Sequence, residues 1–246
     1  MVYWGFSENV PGGTITSVAK GRLSDNETTI ENTTVIYRAN PAANSNAHYG
    51  GRILFDATGN LLVSTGERAN TSTRPLAQSV TSALPELYSM GHRNPQGLAL
   101  HPITGDVWQS EHGPRGGDEI NRVQAGANYG WPTITYGIEY GGQPIGSAIQ
   151  QQSGMEQPVY YWDPVISPSG ITFYRGNRIP EWQNNLFIGA LSGQHIARLV
   201  IVNNLVTGEE RLLAGENQRF RDIIQGNDNA LYAITDAGRL YRIDRQ

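Results

Sequence analysis

Residues 219–244 read RFRDIIQGNDNALYAITDAGRLYRID. An apolar run gives way to a polar turn rich in Gly and Asn. A second run, Ala230 to Ile234, follows, and Thr235-Asp-Ala-Gly238 marks another turn. The same grammar recurs at 50–67 (GGRILFDATGNLLVSTGE), 94–113 (NPQGLALHPITGDVWQSEHG) and 169–191 (SGITFYRGNRIPEWQNNLFIGAL). The turn residues Gly59, Gly105, Asn185 and Asn229 are separated by 46, 80 and 44 residues. A spacing near 45 is that of a propeller blade built from short strands. The long gap reads as one inserted excursion, roughly Gly113 to Pro168, rich in Gly, Pro, Tyr and Trp. No window sustains a helical stripe. The best helical candidate, residues 76–90, is interrupted by Pro85. The chain therefore reads as all-β, a propeller or part of one, in a single domain over 1–246, with about four blade-like sheets. A sandwich is the competing architecture, and the repeated turn spacing favours the propeller.

Composition narrows the function. The 246 residues carry 18 basic and 22 acidic side chains, a net charge of −4, which argues against a nucleic-acid partner. Cys is absent, so disulfides and thiolate metal sites are excluded. No stretch of 18 apolar residues exists to span a membrane. MVYWGFSENV at the start has neither the basic nor the apolar region of a signal peptide.

Five segments carry candidate chemistry. His48 sits in NSNAHYGGR, where the following glycines let a ligand approach, and imidazole suits a general base. Arg93-Asn94 places a planar donor fork beside an amide, which suits a ligand with several carbonyls. EHGPRGGDEIN, 111–121, gathers three acidic side chains in Gly-rich backbone, and hard cations take carbonyl and carboxylate oxygens. It is not an EF-hand loop. GANYGWP follows at 126–132. Arg219 and Arg221 share one face of a strand, where two guanidiniums repel unless an anion or several acceptors lie between them. The bland readings are a structural His, an Arg paired with a neighbouring acid, a solvated polar loop and a charged sheet edge.

HYGGR, GHRNPQGLALHP, EHGPRGGDEIN, GANYGWP and RFRDI, in this order, closely resemble the soluble sugar dehydrogenases that depend on pyrroloquinoline quinone (PQQ), the glucose/sorbosone dehydrogenase family. The resemblance runs from about Gly21 to Ile243. It implies a six-bladed β-propeller with PQQ near the axis, and oxidation of aldose sugars at C1 to the lactone. It gives His48 the role of general base for the anomeric hydroxyl, and Arg93 and Asn94 contacts to the quinone carbonyls. Arg219 and Arg221 would face the cofactor. The carbonyls of Gly113 and Pro114 match ligands of a calcium beside the cofactor, and Glu119 and Tyr129 match ligands of a second, structural calcium. It further implies an aldose substrate, an unidentified electron acceptor and a periplasmic or secreted setting.

Three departures qualify the resemblance. Family chains are longer, with roughly a hundred residues before the position of Met1 that include a cofactor-contacting Gln. On this reading the chain is an N-terminally truncated, incomplete propeller whose open sheet edges invite self-association. Between Gln78 and Leu87 the short stretch SVTSALPE stands where relatives carry a longer segment, so a blade has lost strands. Ser192 stands where relatives place a cofactor-binding Lys. These changes imply weakened PQQ binding. They keep two alternatives open: a non-catalytic propeller that binds a sugar or a partner, and a calcium-dependent propeller hydrolase.

Overall fold

The computed structural model describes residues 1–80 and 85–245. It contains five antiparallel sheets. The first joins β1 (Val2–Val10), β2 (Gly13–Leu23) and β3 (Ile30–Arg38), and the second only β4 (Gly50–Phe55) and β5 (Leu61–Thr65). The third runs β6 (Pro95–Leu100), β7 (Val107–Glu111), β8 (Asp118–Val123) and β9 (Tyr160–Trp162). The fourth runs β10 (Pro168–Phe173), β11 (Leu186–Ala190), β12 (Ile196–Val202) and β13 (Leu205–Leu212). The fifth joins β14 (Phe220–Gln225), β15 (Leu231–Thr235) and β16 (Leu240–Ile243).

Three of the repeats become the first two strands of a sheet, and 219–244 forms all three strands of its own. Their first strands stand side by side: β4 packs on β6, β6 on β10 and β10 on β14. Arg52 on β4 then reaches back to Asp222 on β14. That ion pair links the first and last of the four strands by their side chains, so the four strands stand about a common axis, as in an incomplete propeller. Neighbouring positions fix their direction. Gly50 N–H donates to Asn94 and Arg52 Nε to the Gln96 carbonyl; Gly97 lies beside Ser169 and Arg175 Nη2 donates to the Leu100 carbonyl; Ser169 Oγ donates to the Phe220 carbonyl and Arg175 N–H to Gln225. All four strands therefore run the same way. β1 meets β4 in the opposite sense, Tyr3 against Phe55 and Gly5 against Gly51.

The core lies between sheets, as stacked blades require. Trp108, Ile120, Ile171, Phe173, Leu186 and Ile188 fill the space between the third and fourth sheets. Tyr174, Phe187, Phe220, Ile223 and Leu231 fill that between the fourth and fifth. β7 and β11 are buried along their whole length because both of their faces are covered.

The sheet count and the excursion differ from the sequence reading. The repeats reveal four sheets, and the fifth is β1–β3. Its outer strand, IENTTVIYR, is exposed at most positions and so carries no apolar signature. The expected excursion 113–168 contains two strands of the third sheet. β8 reads DEINRV, and its buried positions include Asp118 and Asn121, so it does not look like an apolar strand. The irregular stretch shrinks to 124–159. Where the resemblance implies lost strands, a 3-10 turn at Arg74–Gln78 is followed by the bridging stretch, part of which (81–84) lies outside the described residues. Beside the two-stranded sheet is a cavity of about 570 Å³, bordered by Leu62, Tyr88, Leu98, Val107 and Val123.

Candidate functional site

In antiparallel sheets whose first strands all run one way, the start of every first strand and the end of every second strand fall at one end of the axis. His48 precedes β4 and Glu67 follows β5. Arg93 and Asn94 precede β6, and Glu111 to Gly117 link β7 to β8. Ser192 follows β11, Arg219 precedes β14, and Asp236 follows β15. Residues scattered over 190 positions of sequence thus share one rim.

His48 is mostly buried, and its Nδ1 lies 2.6 Å from Oε1 of the buried Glu67. A carboxylate only accepts, so the proton sits on Nδ1 and Nε2 is left as the free base. The backbone around this pair is strained. His48, Arg68 and Ala69 all adopt left-handed conformations, at φ of 49, 69 and 50°. Arg68 holds the strain in place. It donates to Thr14 Oγ1 and to the carbonyls of Ala47 and Ser45, and its guanidinium lies 3.6 Å above the Tyr49 ring. Glu67 Oε2 is buried without a partner.

Arg93 is buried in the floor of the rim. Nη1 donates to the carbonyls of His112 and Gly113 at 3.0 and 2.6 Å, and its backbone N–H donates to Glu111. Nη2 lies 3.4 Å from the Tyr140 hydroxyl, and Nε has no partner. Asn94 is also buried and accepts from Gly50 N–H and Gln96. His112 is held neutral, its pKa pushed down to about 3 by burial and then by the charge of Arg93, with smaller contributions from His48 and Arg221.

Asp118 ties this loop to the next sheet. It accepts from Gly113 N–H, Ile166 N–H and Ser167 N–H, and burial lifts its pKa to about 6. Gly113 must be glycine here, because a Cβ would sit 2.3 Å from the Gly117 backbone.

Behind the loop, Glu111 and Glu119 stand directly opposite each other on β7 and β8. Burial, and then the neighbouring Glu111, push Glu119 well above the usual carboxylate range. Asn121 donates to Glu119, and its own Oδ1 is buried without a partner. This set of oxygens fits a hard cation. Tyr129 fits it less directly, since its hydroxyl donates to the Arg122 carbonyl and accepts from Gln124 N–H. The Gly113 carbonyl accepts one hydrogen bond from Arg93, which leaves its second lone pair for a cation. Among the described residues, no three His, Cys, Asp or Glu side chains form a metal cluster by themselves.

Arg219 and Arg221 are half exposed and both grip Asp236. Arg219 Nε lies 2.9 Å from Oδ2, and Arg221 Nε lies 2.8 Å from Oδ1. The anion that two facing guanidiniums require is thus partly supplied by the chain itself. Ser192 is exposed, its hydroxyl 2.8 Å from that of Ser167. Sequence reasoning did not find Glu67, Tyr140 or Asp236, and it met Asp118 only as one of the three acids of the 111–121 segment. Glu67, Tyr140 and Asp236 are recognisable only by partners 17 to 47 residues away in the chain.

The family model "Glucose / Sorbosone dehydrogenase" matches residues 1–85 and 79–242, two parts that meet at the short bridging stretch. An aldose sugar dehydrogenase of Escherichia coli (strain K12) is 38% identical over 256 residues, covering 93% of this chain and 68% of that protein. The quinoprotein glucose dehydrogenase B of Acinetobacter calcoaceticus is 28% identical over 221 residues, covering 68% of this chain and 46% of that protein. A solved structure described as glucose dehydrogenase superposes with a TM-score of 0.93 at 41% identity, covering 99% of this chain and 78% of that one.

Proposed function

The chain belongs to the glucose/sorbosone dehydrogenase family, and from that premise we propose that it oxidises aldose sugars at C1 to the lactone, with PQQ as the hydride acceptor and calcium as its companion ion. The observation that carries this reading is the His48–Glu67 pair, a base with one nitrogen pinned and the other free, set on the same rim as three guanidiniums. The quinoprotein relative supports the choice of cofactor.

The residues divide the work. His48 Nε2 accepts the proton of the anomeric hydroxyl, while Glu67 keeps Nδ1 protonated and stabilises the imidazolium that forms. Arg93 and Asn94 present donors where negative charge would develop. Arg219 and Arg221 leave one net positive charge after Asp236 is counted, which fits a polyanionic cofactor. The unpartnered Arg93 Nε adds a donor with no acceptor in the protein. When bound, PQQ would supply the two-electron acceptor for the C1 hydride. Glu119 and Asn121 would hold the structural calcium with neighbouring oxygens, Tyr129 among the candidates. The carbonyls of Gly113 and Pro114 would hold the calcium beside the cofactor, the Gly113 oxygen keeping one lone pair for Arg93.

A hydrolase reading is weaker, because it leaves Arg93, Arg219 and Arg221 without a task. The test is titration of the protein with PQQ and calcium, followed by dye reduction with aldoses. Saturable PQQ binding and aldose-dependent dye reduction support the proposal. Sugar binding without turnover supports the non-catalytic alternative, and lactone hydrolysis without dye reduction supports the hydrolase.

A further inference from the structure

We propose that Tyr140 is the platform on which the pyranose ring of the substrate lies, and that the turn carrying it sets which sugars the site accepts. The inference rests on the sugar-oxidising reading above and adds a residue to it. Tyr140 is 70% exposed, yet its surroundings are fixed. Its hydroxyl lies 3.4 Å from Arg93 Nη2, at the centre of the candidate site. The turn closes on itself through Glu139 N–H to the Gln143 carbonyl and Gly142 N–H to the Glu139 carbonyl, both 2.8 Å. Glu139 is paired with the guanidinium of Arg74, which itself lies 5.2 Å from the Trp131 ring centre. Ile138 exchanges two backbone hydrogen bonds with Arg115, at 2.9 and 3.0 Å, and Arg115 follows directly on Gly113 and Pro114.

The turn is therefore stapled to the loop that lines the site and to the Arg74 turn beside it. An apolar ring kept in water at a mouth, with its polar tip tied inward, is unfavourable for the free protein. It becomes favourable when a ligand with an apolar face covers the ring. A pyranose offers that face in its axial C–H groups, while its hydroxyls can reach Arg93. A tyrosine suits the task because one end is apolar and the other wet.

The experiment compares wild type, Tyr140→Ala and Tyr140→Phe. Cofactor-loaded protein is assayed with glucose and xylose, and PQQ affinity is measured by calorimetry. Saturation-transfer NMR with methyl β-glucoside, whose anomeric hydroxyl is blocked, reports contact between the sugar and aromatic protons. Tyr140→Ala is expected to raise KM by about 10- to 100-fold, leave kcat within about threefold and lose the aromatic saturation signal. Tyr140→Phe keeps the signal and raises KM by about threefold or less. An unchanged KM in Tyr140→Ala, or a loss of PQQ affinity that accounts for the change, overturns the platform role. If wild type oxidises no sugar, the sugar-oxidising reading fails. The NMR comparison still decides separately whether Tyr140 holds a pyranose.

Discussion

At the scale of single residues, the site is defined by polar atoms whose partners were chosen by the fold. His48 was visible in the sequence because a His before two glycines is an unusual arrangement. Glu67 was not, because it lies 19 positions away and follows an ordinary apolar strand. Replacing His48 with Ala should lower turnover by about two to four orders of magnitude, with PQQ affinity largely kept. Glu67→Gln should retain the side chain's shape but lose the charge that fixes the tautomer, costing about 10- to 100-fold in kcat. Steady-state kinetics with calorimetric PQQ binding check both, and full activity in either variant removes that residue from the mechanism. A second buried imidazole gives a pH prediction. His195 is buried in the β11–β12 connection, donates from Nδ1 to the Gly193 carbonyl and has no partner at Nε2, and burial lowers its pKa. Below the ordinary value of about 6.5, the unfolded chain takes up a proton that the folded chain refuses, so this group lowers stability as pH falls. Between pH 7.5 and 5, urea midpoints of wild type should therefore fall more steeply than those of His195→Gln. Parallel slopes would contradict the assignment.

At the scale of elements, strands were legible where both periodicity and turns were apolar and regular, and illegible where they carried the site. The repeats at 50–67, 94–113 and 169–191 each became a pair of strands, and 219–244 became three, because their apolar runs face neighbouring sheets. β8 was lost inside an expected excursion because Asp118 and Asn121 take two of its four buried positions, leaving only Ile120 and Val123 as apolar signals. β1–β3 was missed because its outer face has little to bury. The start of β14 shows how an element can hide its own counter-ion. Arg219 and Arg221 read as two unneutralised cations, but the turn after β15 returns Asp236 to both of them. The hydrogen bond from Arg221, and then that from Arg219, hold the Asp236 carboxyl below its usual range, their charges adding less. If the pair serves an anionic cofactor, Asp236 opposes binding by its charge. Asp236→Asn should then tighten PQQ binding by about threefold to tenfold at low salt, the gain shrinking as salt is added. Calorimetry at two ionic strengths checks this. A loss of affinity would mean that Asp236 acts chiefly by holding the guanidiniums in place.

At the scale of the whole molecule, the arrangement of sheets around an axis depends on how closely four first strands can approach. Arg52 from β4, Asp222 from β14 and the Gln96 carbonyl from β6 meet there, joining three sheets by polar contacts. β10 contributes Gly170 to the same point. A Cβ at that position would lie 1.7 Å from Asp222 Oδ1 and 3.0 Å from Arg52 Nη2. A methyl group therefore cannot be accommodated unless the ion pair moves. Overpacking of this kind costs about 1–3 kcal/mol, and a chain of this length loses about 2–4 °C of melting temperature per kcal/mol. Gly170→Ala should thus melt several degrees below wild type. The double variant Gly170→Ala with Asp222→Ala relieves the clash, yet leaves Arg52 without its partner. The two changes share one contact and should not add, so the double variant should be more stable than the sum of the singles allows. Thermal unfolding of the four proteins measures that coupling. Strict additivity would place the clash elsewhere and remove the axis ion pair as the point where β4, β10 and β14 are held together.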